Sequence, residues 1–384
     1  MDFELNENQR MMRDMTRDFA LREIAPHAHA MDVDGEVPDE LMTKMKESGF
    51  FALAYPEEYG GLGLDTITYG VVVEELARQC AGLCIMVTVH NSVGFYPVGG
   101  FGKDEVKAAF LPRMAAGELA SFCVSEPGAG SDAAALACTA RLDGDHYVLD
   151  GSKVWVTSGS RAGFYVILAR TPGSTGFRDI HAFLVERDSP GLEVAKKEDK
   201  LGLRASDTVV ISLDGVKVPA AHLLGEEGEG FKIAMSALDG GRIGVAFQAL
   251  GIGRACLEEA LKYSHERQAF GRPLSAQPVI QQKLADMGTE LDAARLLAYR
   301  AAWLKDQGKP FTREAAMAKL FASEAACRAA DEALQIHGGY GYVKEYPVER
   351  YYRDVRVTRI YEGASEIQRL VIARSLLADQ VRKR

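Results

Sequence analysis

The sequence predicts an α+β fold in three parts, helices first, then a β domain, then a helical bundle. Three observations carry this. Apolar residues recur at spacings of three and four in the first third, the period changes to two in the middle, and the last third returns to long helical stretches. In the first part, residues 1–119, the segments 39–46 and 65–78 have helical spacing, with Pro26, Pro56 and a glycine-rich loop at 59–63 as punctuation. In the second, residues 120–226, Tyr147-Val-Leu-Asp-Gly-Ser-Lys-Val-Trp-Val156 reads as strand, Asp-Gly turn and strand, because Asp and Gly tolerate the positive φ of a tight hairpin. Further strands are expected at 164–169, 181–185 and 208–213. In the third, residues 227–384, Leu284, Met287, Leu291, Ala294 and Ala298 form one helical stripe, and 314–336 is alanine-rich without proline. No internal repeat is found.

Composition narrows the function. A chain of 384 residues with 47% apolar and 26% charged residues is globular and long enough for two or three domains. Its net charge of −9 disfavours nucleic acid, and the cationic end Val381-Arg-Lys-Arg384 is short. No stretch approaches about 18 consecutive apolar residues, the length of a membrane span, and the acidic Met1-Asp2-Phe3-Glu4 is unlike a targeting peptide. A cytoplasmic location is expected. Six cysteines without C-x-x-C predict reduced, buried thiols, and no H-E-x-x-H is present to hold zinc.

The loop Ser125-Glu-Pro-Gly-Ala-Gly-Ser-Asp132 has glycines that let backbone N–H groups converge on an anion, although an ordinary turn has the same composition. No G-x-G-x-x-G follows a strand, so a Rossmann site is not supported. Together with Phe122-Cys-Val-Ser125, Lys153-Val-Trp-Val-Thr-Ser-Gly159, Gln335-Ile-His-Gly-Gly-Tyr-Gly-Tyr342, Tyr346-Pro-Val-Glu-Arg-Tyr-Tyr-Arg-Asp354 and Arg359-Ile-Tyr-Glu-Gly-Ala-Ser-Glu-Ile-Gln-Arg369, this loop closely resembles the acyl-CoA dehydrogenase family. The resemblance covers essentially the whole chain, in order. It implies a helical N-terminal domain, a central β-barrel-like domain and a C-terminal four-helix bundle.

The resemblance also implies a homotetrameric flavoenzyme that oxidises an acyl-CoA to the trans-2-enoyl-CoA on FAD and passes electrons to an electron-transferring flavoprotein. Glu362, before Gly363, matches the family's base, and an α-proton is weakly acidic enough to require a desolvated carboxylate. Tyr361 and Ile360 are the expected apolar wall. Some relatives place the base on a helix instead, at the position of Gly241 in Leu238-Asp-Gly-Gly-Arg242; glycine cannot be a base, so Glu362 stands alone. Its backbone N–H is expected to help polarise the thioester carbonyl.

Position by position, the resemblance places Phe122, Val124, Ser125, Gly130 and Ser131 along the flavin, and Trp155, Val156 and Thr157 near its ring. Judged alone, a Trp in a hairpin is ordinarily core. Arg267, Gln335, Gly338 and Gly339 match residues that reach the FAD of a neighbouring subunit, and Ala364, Ser365 and Glu366 match contacts at the adenosine end. Pro278 replaces a usual glutamine, so that contact is lost or made by Gln277. For the substrate, Asp239 and Arg242 match the pair that engages the CoA arm; Ser131, Tyr361 and Gly363 border the acyl group. Helical glycines 240, 241 and 244 cost stability unless something must approach closely.

The stretch 85–94, which floors the acyl pocket in relatives, has no arginine to pair a distal carboxylate, so a short uncharged acyl chain is expected, straight or branched. Other readings are a nitroalkane oxidase, which would carry aspartate as base, an acyl-CoA oxidase, generally a longer chain, a catalytically silent flavoprotein, and a nucleic-acid-binding relative.

Overall fold

The computed structural model describes residues 4–382, so the first residues and the terminal Lys383-Arg384 lie outside the described residues. The first helices are α1 (Glu7–Phe19), α2 (Ala28–Asp34), α3 (Asp39–Glu47), α4 (Thr66–Gln79), α5 (Ala81–Val89), α6 (Phe95–Phe101) and α7 (Asp104–Ala115). Asp65 caps α4 by accepting from the Thr68 N–H, as expected for an aspartate at that boundary. A π-helical turn, His90–Gly94, joins α5 to α6. The resulting run Ala81–Phe101 has the length and mean hydropathy of a membrane span, but Thr88, His90, Asn91 and Ser92 interrupt its apolar residues, and 89% of its apolar window is buried inside the protein. It is a core helix.

The middle of the chain forms β1 (Ala120–Cys123), β2 (Thr139–Asp143), β3 (His146–Thr157), β4 (Phe164–Arg170), β5 (Ile180–Glu186), β6 (Leu192–Lys197), β7 (Thr208–Pro219) and β8 (Leu223–Leu224). One sheet runs β6-β7-β3-β2-β4-β5-β8, with β1 added parallel to β4. β6 and β8 are its two ends, so the ladder is not closed. Every residue of β4 is buried, because its side chains alternate between two cores: Phe164, Val166 and Leu168 on the face towards α6 and α7, Tyr165, Ile167 and Ala169 on the other.

The Asp150-Gly151 turn is corrected. β3 runs straight through it, and the hairpin turns instead at Gly144, between the paired Asp143 and His146. Gly151 is a bulge, with φ +138, and a Cβ there would lie 2.4 Å from Cys138 Sγ. A second irregularity between Lys153 and Val156 carries Trp155 out of the ladder.

The chain then enters α8 (Gly230–Glu266), a short hairpin of β9 (Gln268–Ala269) and β10 (Arg272–Pro273), α9 (Pro278–Asp306), α10 (Thr312–His337), α11 (Val348–Val355) and α12 (Ser365–Arg382). α10 packs on α8, α9 and α12, which makes the bundle. The N-terminal helices and this bundle share one apolar core, with α4 and α5 laid against α8. Phe122 packs against both this core and the sheet core, so it stands where the helical and β parts meet.

Candidate active site

Helix α8 presents bare backbone to its neighbours at two buried glycines. A Cβ on Gly241 would lie 2.1 Å from Glu362 Oε2, and one on Gly244 would lie 2.9 Å from the Tyr69 hydroxyl. Gly241 and Gly244 are therefore close-approach sites, whereas a Cβ on Gly240 would meet only Lys305 Nζ at 3.7 Å, and the helix position of the alternative base coincides with the space that the Glu362 carboxyl fills. Glu362 sits in the loop before α12 with φ +49, a left-handed conformation rare for a residue with a side chain. Its Oε2 is buried without a hydrogen-bond partner. Burial raises its pKa to about 7, while the charges of Lys319 and Arg242 hold it lower than burial alone would.

Donors from three helices fix this loop. The Glu362 carbonyl accepts from Arg242 Nε at 3.3 Å and from Gln368 Nε2 at 3.2 Å. The Gly363 carbonyl accepts from Gln368 Nε2 and from Lys319 Nζ, each at 2.8 Å. Arg242 is buried, not a surface side chain, and pairs with Asp239 at 2.5 Å. Asp239 also accepts from the Thr312 hydroxyl, and burial raises its pKa. Tyr361 donates to Gln248, whose amide donates to the Ala81 carbonyl at the start of α5. Glu362, Tyr361, Gly363, Asp239 and Arg242 are thus one cluster; Ser365, with a buried unpartnered hydroxyl, opens the next helix.

A second group forms on the sheet. Trp155 has φ +60 and is 63% exposed, so the expectation of a core Trp fails. The bulge turns its ring out to solvent. Val154 N–H donates to the Ser125 carbonyl, and Lys153 Nζ to the Val124 carbonyl, which fastens the loop after β1 beside the tryptophan. Lys153 is fully buried and pairs with Glu126 at 2.6 Å; Glu126 also accepts from the Ala137 and Cys138 N–H groups. The Ser121 hydroxyl donates to the Thr157 carbonyl, so Phe122, Val124, Ser125, Val156 and Thr157 lie together. Gly130 and Ser131 are on the exposed part of the loop, and Cβ atoms at Gly128 or Gly130 would meet nothing within 4 Å.

These residues fit a flavin. An exposed indole held at strained φ, an open glycine loop and the buried, unpartnered Ser158 hydroxyl beside it are costs to the fold that a planar, polar-edged ligand would offset.

The third group lies elsewhere. Arg267 is exposed and stacks on Tyr340 at 5.7 Å, near the exposed Gln335, Gly338 and Gly339. Arg267 follows the end of α8, and Gly241 stands near its start, about 39 Å away at roughly 1.5 Å per residue. The single chain does not bring this group to Glu362. Close to it, Arg272 donates to Gln277 Oε1 while Gln277 Nε2 is buried and unpartnered, which leaves Gln277 a donor where Pro278 has none.

Sequence reasoning missed Lys153, Glu126, Lys319, Gln248, Gln368 and Tyr69. The one signal for Lys319 is its register: it shares the buried face of α10 with Ala315, Ala318, Ala322 and Ala326. Among the described residues no cluster could hold a metal ion.

Three family models match in order: acyl-CoA dehydrogenase N-terminal domain over 6–118, middle domain over 121–216 and C-terminal domain over 228–377. The chain is 50% identical over 375 residues to the mitochondrial short-chain specific acyl-CoA dehydrogenase of Bos taurus, covering 97% of this chain and 91% of that one. Among solved structures it resembles butyryl-CoA dehydrogenase from Megasphaera elsdenii, with TM-score 0.96 and 43% identity over 98% of this chain and 100% of that one. It also resembles a chain in the structure of the electron transferring flavoprotein of Acidaminococcus fermentans, with TM-score 0.96 and 46% identity over 98% and 100%.

Proposed function

The chain belongs to the acyl-CoA dehydrogenase family and is an acyl-CoA dehydrogenase, and from that premise we propose that it converts a short-chain acyl-CoA to the trans-2-enoyl-CoA on bound FAD, with Glu362 taking the α-proton. The observation that carries this is the Glu362 carboxyl, its Oε2 buried without a partner against Gly241 and its pKa raised to about 7. FAD, when bound, supplies the acceptor for the β-hydride and relays electrons onward.

The residues of the chain do the rest. The sheet group, Phe122, Val124, Ser125, Gly130, Ser131, Trp155, Val156 and Thr157, holds the flavin, and Ala364, Ser365 and Glu366 its adenosine end. Asp239 and Arg242 hold the CoA arm, while Ser131, Tyr361 and Gly363 border the acyl group. Glu362 Oε2 accepts the α-proton, and its backbone N–H helps polarise the thioester carbonyl. A carboxylate near pKa 7 is basic enough to take that proton at neutral pH. The stretch 85–94 has no arginine to pair a distal carboxylate, which supports an uncharged acyl group, and the likeness to short-chain and butyryl-CoA enzymes supports a short one.

A homotetramer is supported by the third group: Arg267, Gln335, Gly338 and Gly339 are far from Glu362 in their own chain and free to serve a neighbour's FAD. The likeness to a chain in the A. fermentans electron transferring flavoprotein structure supports that class of protein as electron acceptor. Six free cysteines support a reducing, cytoplasmic location.

The test is an anaerobic titration of the visible spectrum with acetyl-, butyryl-, isobutyryl-, hexanoyl- and glutaryl-CoA. Butyryl-CoA is expected to bleach the flavin band best; a yellow protein that no thioester bleaches would refute the catalytic reading. Because Glu362 must be ionised to act, kcat/KM is expected to rise with pH through about 7. A profile flat from pH 5.5 to 8.5 would contradict a buried carboxylate as base. Trp155→Ala is expected to weaken FAD binding by about fivefold to tenfold, through lost ring contact. The melting temperature of the apoprotein should hardly change, since the ring is 63% exposed.

A further inference from the structure

Lys319 is a fully buried lysine that donates a hydrogen bond to a backbone carbonyl, that of Gly363, directly after the base. We propose that Lys319 is a positioning residue for Glu362: from α10 it grips the Gly363 carbonyl and, with Gln368 and Arg242, holds the 362–363 backbone in the left-handed turn that lays the carboxyl on Gly241. The inference rests on the reading of Glu362 as base.

The backbone geometry requires such a clamp. Glu362 at φ +49 and Gly363 at φ +95 are consecutive left-handed residues, a conformation that strains a residue with a side chain. Left alone, the loop would relax and swing the carboxyl off α8. Four hydrogen bonds to two successive carbonyls oppose this, and each donor comes from a different helix: Arg242 on α8, Lys319 on α10 and Gln368 on α12. Of the three, Lys319 alone brings a charge with no ion pair of its own, since Arg242 is paired with Asp239.

A buried ammonium is expensive unless well bonded, and burial pushes Lys319 down to about 8, with the Glu362 charge opposing that shift. The groups facing the pair are Arg242 from α8, Glu324 beside Lys319 on α10, Glu366 from α12, Tyr69 from α4 and Tyr361 from the loop itself. Hydrogen bonding to Gly363 places the ammonium behind the peptide, not against the carboxylate, so it orients the base and favours its ionised form without neutralising it.

The experiment compares the FAD-loaded wild type with Lys319→Met, which keeps the length of the side chain and removes charge and donor. Expected for Lys319→Met are flavin reduction by butyryl-CoA slowed about tenfold or more, with KM changed less than about threefold, and a pH profile displaced upward by about one unit. Hydrogen exchange of amides 361–365 should be at least about tenfold faster. Wild-type rate, profile and exchange together would overturn the proposal. Gln368→Leu, which frees the same carbonyls without removing charge, is expected to speed exchange and slow reduction with no displacement of the profile. If Lys319→Met does not fold, wild-type exchange in Gln368→Leu overturns the clamp. Should Glu362→Gln still reduce its flavin, the base reading fails, and the exchange data decide the clamp separately.

Discussion

Glu362→Gln is expected to retain FAD and its yellow spectrum but to lose bleaching by butyryl-CoA by at least about a thousandfold. Glutamine keeps the shape and the carbonyl contacts of the loop and removes only the proton acceptor. Anaerobic stopped-flow absorbance checks it, and bleaching within a few-fold of the wild-type rate would remove Glu362 from the mechanism. The same variant makes a thermodynamic prediction with a definite sign. The folded-state pKa of about 7 lies above the ordinary 4.5, so the protonated group favours folding. That contribution is complete below about 4.5 and is lost as pH rises through 7. Glutamine cannot ionise. The variant should therefore match wild type in stability near pH 4.5 and exceed it at pH 8, by up to about 3 kcal/mol, the equivalent of the shift.

Gly241→Ala is the second large effect, and it separates activity from stability. A Cβ at this position would lie 2.1 Å from Glu362 Oε2 and 2.8 Å from its Cδ, so the carboxyl must move. The displaced atoms are the end of a flexible side chain, and alanine favours a helix over glycine by about 1 kcal/mol. The melting temperature is expected to stay level or rise. Flavin reduction should fall by about a hundredfold, the cost of misplacing a reacting group by about 1 Å. A Gly241→Ala variant with wild-type reduction would show that the carboxyl need not rest on α8.

The three-part organisation was legible in the sequence because the hydrophobic period changes between parts, and a long alanine-rich stretch such as α10 has no competing signal. β4 was legible as an apolar run, since burial on both faces removes alternation. β3 was misread at Asp150-Gly151 for a physical reason: the same dipeptide serves a turn or a bulge, and only packing against Cys138 decides between them. Glu362 and Arg242 could be found through their motifs. The roles of Lys153 and Gln368, though both lie within quoted motifs, and of Lys319, marked only by its register on α10, were not legible, because a lysine or glutamine is usually solvated, and nothing local shows that a carbonyl waits across a helix interface. Trp155 was found through its motif, but its exposure was not legible, since the register shift that places it is announced by no pattern of side chains.

The buried Lys153–Glu126 pair bears on how the protein receives its flavin. The pair ties the loop after β1 to the β3 bulge and to the Ala137 and Cys138 amides through groups of the chain alone. Conformational freedom is then lost during folding, not during uptake. Under the proposed function, cofactor capture becomes a docking event onto a finished surface, with a second-order rate set by diffusion and orientation and with little heat-capacity change from loop ordering.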